Sequence, residues 1–191
     1  VNDAVIIGLG LALVASSKPI PWGAGWMWPV PSATFDGAGY PAVVSQGFHA
    51  PAHMGVDIVY RRRSRKDRPE YPSGSTNGSP MHFAPPGVPV FAAKAGTVWS
   101  VTKSPRGWSV VINHGAPFAT FYQHMDSVIV AKGMPVIAGT MLGTMGWDPL
   151  DAQRLRHLHF AVWYNGHGDS ASVDPAGVIG KWTRPPLTWK A

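Results

Sequence analysis

The chain has 191 residues, enough for one domain with a sizeable core. It contains no cysteine, which excludes a disulfide framework and thiolate chemistry and confines any metal site to His, Asp and Glu ligands. Net charge is +6, but YRRRSRKDR (60–68) alone carries +5, so this is a local basic loop and not a basic domain built for nucleic acid.

Residues 4–15, AVIIGLGLALVA, are apolar. As a helix they would rise about 18 Å, and a bilayer core needs about 20 residues. Asp3, not a basic residue, precedes them, unlike a signal peptide. Three readings stay open: a membrane anchor or docking element, packing on the chain's own domain, and a processed leader. Trp22, Trp26 and Trp28 follow in WGAGWMWP, and tryptophan suits membrane interfaces, protein interfaces and cores alike. Residues 29–47 are rich in Pro and Gly without periodicity and read as extended connector. The division is therefore an N-terminal segment over 1–42, a folded domain over 43–180 and a tail over 181–191.

HMGVD (53–57) sets a histidine and an aspartate around a glycine-containing turn. The basic cluster and PSGSTNGSP then form a long polar insertion over about 60–81. From Val88 onward short strands alternate with turns. They are predicted at 88–93, 96–103, 108–114 and 118–125, then in a hairpin around Lys132-Gly133 that continues through 139–143. WDPLDAQRLR (147–156) is a structured loop or short helix. HLHFAVWY (157–164) is the last strong strand. On it His157 and His159 share one face, while Leu158, Phe160 and Val162 face the other. The fold class is mostly β: a compact antiparallel sheet domain with long loops and a hydrophobic N-terminal segment. His53, Asp57 and one nitrogen from the HLH strand would give three protein ligands and leave an open fourth position, as in a catalytic zinc site.

The ordered set HMGVDI (53–58), GVPVFAAKAGTV (87–98), VVINHG (110–115), FYQHM (121–125), KGMPVIAGTMLGTMG (132–146), HLHF (157–160) and VDP (173–175) resembles the M23 peptidase family, zinc peptidases of the lysostaphin type. The resemblance spans roughly residues 43–176. It implies a β-sheet domain crossed by a groove and one Zn²⁺ per chain, with His53, Asp57 and His159 as ligands. It also implies that His157 and His124 are the catalytic histidines and that the substrate is bacterial peptidoglycan, cut in its stem peptides or cross-bridges. No HExxH helix is present to supply a glutamate base.

Two segments depart from the family pattern: the basic insertion and the loop before HLHF. Arg61, Arg62 and Arg63 would steer anionic wall polymer, touch lipid headgroups or simply be solvated. Arg156, next to His157, and His49, near His53, are further candidates for substrate contact. His114 ends a strand and reads as structural, and His82 and His167 fall in loop-like sequence. The expected function is a wall-facing zinc endopeptidase, mounted on a membrane or on a virion or tail assembly through the N-terminal segment. The alternative is a non-catalytic wall-binding or assembly module with an occluded groove.

Overall fold

The structure, a computed structural model, describes residues 20–35, 37–64, 81–151, 155–185 and 188–190. In chain order the strands are β1 (Ser32–Phe35), β2 (Ala38–Tyr40), β3 (Ala42–Gln46), β4 (Val56–Arg61), β5 (His82–Phe83), β6 (Pro89–Phe91), β7 (Gly96–Ser104), β8 (Gly107–Asn113), β9 (Phe118–Val128), β10 (Pro135–Val136), β11 (Met141–Met145), β12 (Leu158–Tyr164), β13 (Ser172–Val173) and β14 (Thr188–Lys190). The one short α-helix among the described residues is Ala176–Ile179. The fold is mostly β, as the sequence predicts.

The main sheet runs β10-β7-β8-β9-β12-β4-β3, with β5, β6, β11 and β13 attached to it. Period-two patterning explains its two faces. Val98, Val110, Ile112, Tyr122, Leu158, Phe160 and Val162 are buried in the main core. Val111, Ala119, Ala161 and Trp163 form a second small cluster, with Phe121 packed against it. That second face carries the groove.

Residues 29–47 are not an extended connector. They carry β1, β2 and β3; β1 pairs with β2 and, in parallel, with β14, giving a separate three-stranded sheet. Trp26 and Trp28 are buried in the main core. Trp26 stacks on Trp182 at 4.7 Å between ring centroids, while Trp22 stacks on Phe118 at 5.6 Å. Burying such rings stabilises by about 1.5–3 kcal/mol each, so these tryptophans serve the chain's own domain. Residues 182 and 188–190, expected in a tail, belong to the same packing. The apolar run 4–15 lies outside the described residues, as does most of the basic insertion. No helix among the described residues is long and apolar enough to cross a membrane.

His114 is structural. Its Nδ1–H donates to the Ala95 carbonyl at 2.9 Å, and Nε2 accepts from the Thr120 hydroxyl at 2.8 Å. Burial, with Lys94 nearby as a lesser cause, pushes its pKa down to about 4.

Candidate metal centre and groove

Strands β4 and β12 are antiparallel neighbours, with Asp57 opposite His159. Since Leu158 and Phe160 enter the core, His159 must project from the other face. His53 comes from the turn before β4, where it exchanges two backbone hydrogen bonds of 2.8 Å with His49. The three side chains converge. His53 Nε2 lies 3.0 Å from Asp57 Oδ1 and 3.0 Å from His159 Nδ1, and His159 Nδ1 lies 3.1 Å from the same carboxylate oxygen. Their side chains are only 13–14% exposed.

Protons alone cannot join three such atoms in one triangle. The His53 Nδ1–H is committed to the Gly47 carbonyl at 2.7 Å, so neutral His53 offers only a lone pair at Nε2. Burial would raise the Asp57 pKa, but His159 and His53, each able to donate to the carboxylate once its facing nitrogen is protonated, outweigh it and hold the carboxyl well below the usual range. The hydrogen bond to Asp57 in turn raises His53, against the effect of burial. Two imidazole nitrogens and an ionised carboxylate oxygen thus meet at edges of 3.0–3.1 Å. Bonds of about 2.0–2.1 Å to a tetrahedral zinc ion would set such atoms about 3.3 Å apart. The residues present fit that ion.

Gly55 makes the convergence feasible. A Cβ at this position would stand 2.7 Å from His159 Nε2 and 2.8 Å from the Phe160 carbonyl oxygen. The glycine is visible in HMGVD, but its role depends on a strand about 100 residues away and escapes a local reading.

Two more histidines border the cluster. The His157 Nδ1–H donates to the Leu155 carbonyl at 2.8 Å, leaving Nε2 as acceptor 3.9 Å from Asp57 Oδ2. The His124 Nδ1–H donates to the Arg106 carbonyl at 2.9 Å, and its ring centroid is 4.7 Å from that of His157. Burial first, then the nearby His157, pushes His124 down to about 4, so it is neutral at pH 7. Strict alternation along β9 would aim His124 into the core beside Tyr122. A bulge prevents this: the β8–β9 register shifts between Trp108 and Val110, and His124 takes a left-handed backbone with φ of 63°. Gly146 donates its N–H to the His124 carbonyl at 2.7 Å and holds the turned segment.

All five residues line one cavity of about 660 Å³, floored by Phe121 and Gln123. Arg106 forms an ion pair with Asp148 at its side, and Asp151 and Asp169 also line it. These four charged groups were not anticipated, because loop residues show no periodicity that would place them.

The weaker candidates fare differently. His49 is exposed and pairs with His53 only through the backbone; it is not among the residues lining this cavity. Arg61 and Arg63 are exposed, but Arg62 is buried with its guanidinium 4.9 Å over the Phe83 ring, so it cannot steer a polymer. Arg156 is likewise buried. Its guanidinium lies 4.4 Å over Trp147 and pairs with Asp126, and a backbone bridge joins Trp147 to Arg156. It clips the base of the 147–156 loop and does not contact the groove. Both corrections have one cause: a long aliphatic stem with a planar head packs on an aromatic ring as readily as it extends into water.

Known proteins share this arrangement of strands. The chain is 37% identical over 94 residues to an uncharacterized lipoprotein, YgeR, of Escherichia coli K12, covering 48% of this chain and 35% of that protein. It is 34% identical over 115 residues to the peptidoglycan DD-endopeptidase ShyB of Vibrio cholerae, covering 56% and 26%. The chain thus spans about a third or less of the length of these relatives. A zinc-containing peptidase from Vibrio cholerae superposes with a TM-score of 0.50 at 23% identity, over 79% of this chain and 39% of that one, and so shares the fold. Residues 77–175, from within the insertion to the VDP motif, match the sequence profile of peptidase family M23, and His53 and Asp57 lie outside the matched segment, before the insertion. With over half of its length under that profile and the same sheet beneath it, the chain belongs to peptidase family M23.

Proposed function

We propose that the chain is a zinc-dependent endopeptidase of peptidoglycan, with His53, Asp57 and His159 as the ligands of one zinc ion. The observation that carries this reading is the triangle of two imidazole nitrogens and one carboxylate oxygen at 3.0–3.1 Å, set in an open-sided groove. A zinc ion held there supplies a Lewis acid for a peptide carbonyl and lowers the pKa of a water. The histidines beside it do the proton work. His157 and His124 both commit Nδ1–H to a backbone carbonyl, so each presents a lone pair at Nε2. One Nε2 accepts the proton of the attacking water, and a protonated Nε2 then donates to the leaving amine or to the developing oxyanion. His124 is neutral at pH 7 and therefore begins as an acceptor.

Peptidoglycan as substrate is supported by the family resemblance and by the likeness to a peptidoglycan DD-endopeptidase. On this reading the protein faces the cell wall, outside the cytoplasm. The apolar run 4–15 as a membrane or virion anchor belongs to the same proposal.

The test is incubation with intact peptidoglycan, with and without a zinc chelator, and mass spectrometry of the released fragments. New amino termini that disappear on chelation and return with zinc are expected. One bound zinc with intact muropeptides would overturn the enzymatic reading in favour of the non-catalytic module.

A further inference from the structure

The groove face of the sheet does not end at the metal cluster. Phe121, 6.3 Å from His159 between ring centroids, stacks on Trp163 at 5.4 Å. Trp163 meets His167 edge-on at 5.8 Å, and His167 stacks on Trp99 at 4.5 Å and 25°. Trp99 is 49% exposed, a large aromatic surface left in water. It stands where β7 is bulged: Val98 pairs with Ile112 and Ser100 with Val111, so Trp99 is the extra residue. Bulges re-aim side chains and recur beside functional sites. In this sheet the other one described above turns His124 to the groove.

Two cavities flank the Trp99–His167 stack. One, of about 440 Å³, is lined by Trp99, Asn113 and Lys132; the other, of about 360 Å³, by Asn113, Asn165 and His167. Asn113 Oδ1 accepts from the Gly115 N–H at 2.9 Å, which leaves its amide hydrogens to donate. The loop that carries His167 also carries Asp169, which lines the metal groove, so the two regions are continuous.

We propose that Trp99, with Asn113, Asn165 and Lys132 around it, is a sugar-binding platform that holds the glycan from which the scissile peptide hangs. A pyranose ring offers a C–H face that packs on an aromatic plane, and its rim of hydroxyl and amide groups meets amide and ammonium donors. The spacing also fits. Ser100 pairs with Val111, Val111 with Phe121 and Phe121 with Ala161, so Trp99 lies three strands across and about two residues along from His159. At about 4.8 Å per strand and 3.3 Å per residue, that is on the order of 16 Å. Four or five extended peptide residues span about 13–18 Å, the length of a stem peptide between its sugar and a cross-link. The proposal rests on the peptidoglycan reading of the groove.

The experiment compares two substrates, a cross-linked peptide dimer bearing its disaccharides and the same dimer stripped of sugars. Trp99→Ala should raise KM roughly tenfold on the first, with the loss confined to that substrate, and Trp99→Phe should recover most of it. Equal effects on both substrates, or none on either, would overturn the platform. If the wild-type protein cleaves neither dimer, the peptidase reading fails and binding decides the platform separately. Peptide-free glycan chains are titrated while the side-chain amide signals of Asn113 and Asn165 are followed by NMR. Shifts that vanish in Trp99→Ala support the platform, and no shifts in the wild-type protein refute it.

Discussion

Replacing Gly55 by alanine adds a single methyl group, and the structure gives the consequence. The new Cβ would stand 2.7 Å from His159 Nε2, 2.8 Å from His159 Cε1 and 2.8 Å from the Phe160 carbonyl oxygen. Ordinary contact begins near 3.4 Å, so the imidazole would have to retreat by about 0.7 Å, whereas metal sites hold their ligand distances within about 0.2 Å. Rotating the ring does not solve the problem, because the Phe160 carbonyl is backbone and the β4–β12 pairing would have to widen as well. Changes that misplace a ligand through its supports typically cost 10–100-fold in metal affinity. Gly55→Ala is therefore expected to weaken zinc binding by that factor, with a smaller loss of thermal stability in the presence of chelator. Competition against a chromophoric chelator measures the first quantity and a melting curve the second. Wild-type zinc affinity in Gly55→Ala would refute the close-approach argument and the ligand geometry behind it.

Three further outcomes are expected. His157→Ala should keep about one zinc per chain by elemental analysis yet lose cleavage of a defined muropeptide; full activity would show that His157 carries no proton. Arg156→Met, which loses the pair with Asp126 but keeps an apolar stem over Trp147, should lower stability by about 1–2 kcal/mol in a denaturant titration, and an unchanged midpoint would sink the clip. His114 is depressed to about 4 in the folded chain against about 6.5 unfolded. The unfolded chain therefore binds the extra proton, and the stability held above pH 6.5 is lost as pH falls toward 4, by about 2–3 kcal/mol. Melting curves from pH 7 to 4.5 should show this loss in the wild-type protein and a flatter profile in His114→Asn.

The parts legible in the sequence were those governed by local period. Alternation in HLHFAVWY sends Leu158, Phe160 and Val162 to the core and leaves 159 on the opposite face, and β12 does this. What escaped depended on pairing between distant segments. β1 is only four residues, SATF, too short for its alternation to stand out in a Pro- and Gly-rich stretch, and its partner β14 lies more than 150 residues away. Strict alternation on β9 misplaces His124, because a bulge and a left-handed residue break the period there; only the family resemblance put it at the site. The tryptophans at 22, 26 and 28 could not be assigned locally, since the ring that fits an interface also fits a core. Arg62 and Arg156 misled because charge was read as exposure.

The strand order has a consequence for how the molecule comes into being. β12 lies between β9 and β4, so the β3–β4 pair that carries Asp57 opposite Gln46 joins the rest of the sheet only when His159 has arrived, 102 positions later. Closing so long a stretch is slow relative to forming the β7–β8–β9 meander, whose strands are sequence neighbours. During synthesis, which proceeds from the N-terminus, the meander can condense while the first two members of the triad remain apart from the third. A three-ligand centre built this way cannot mature on a half-made chain.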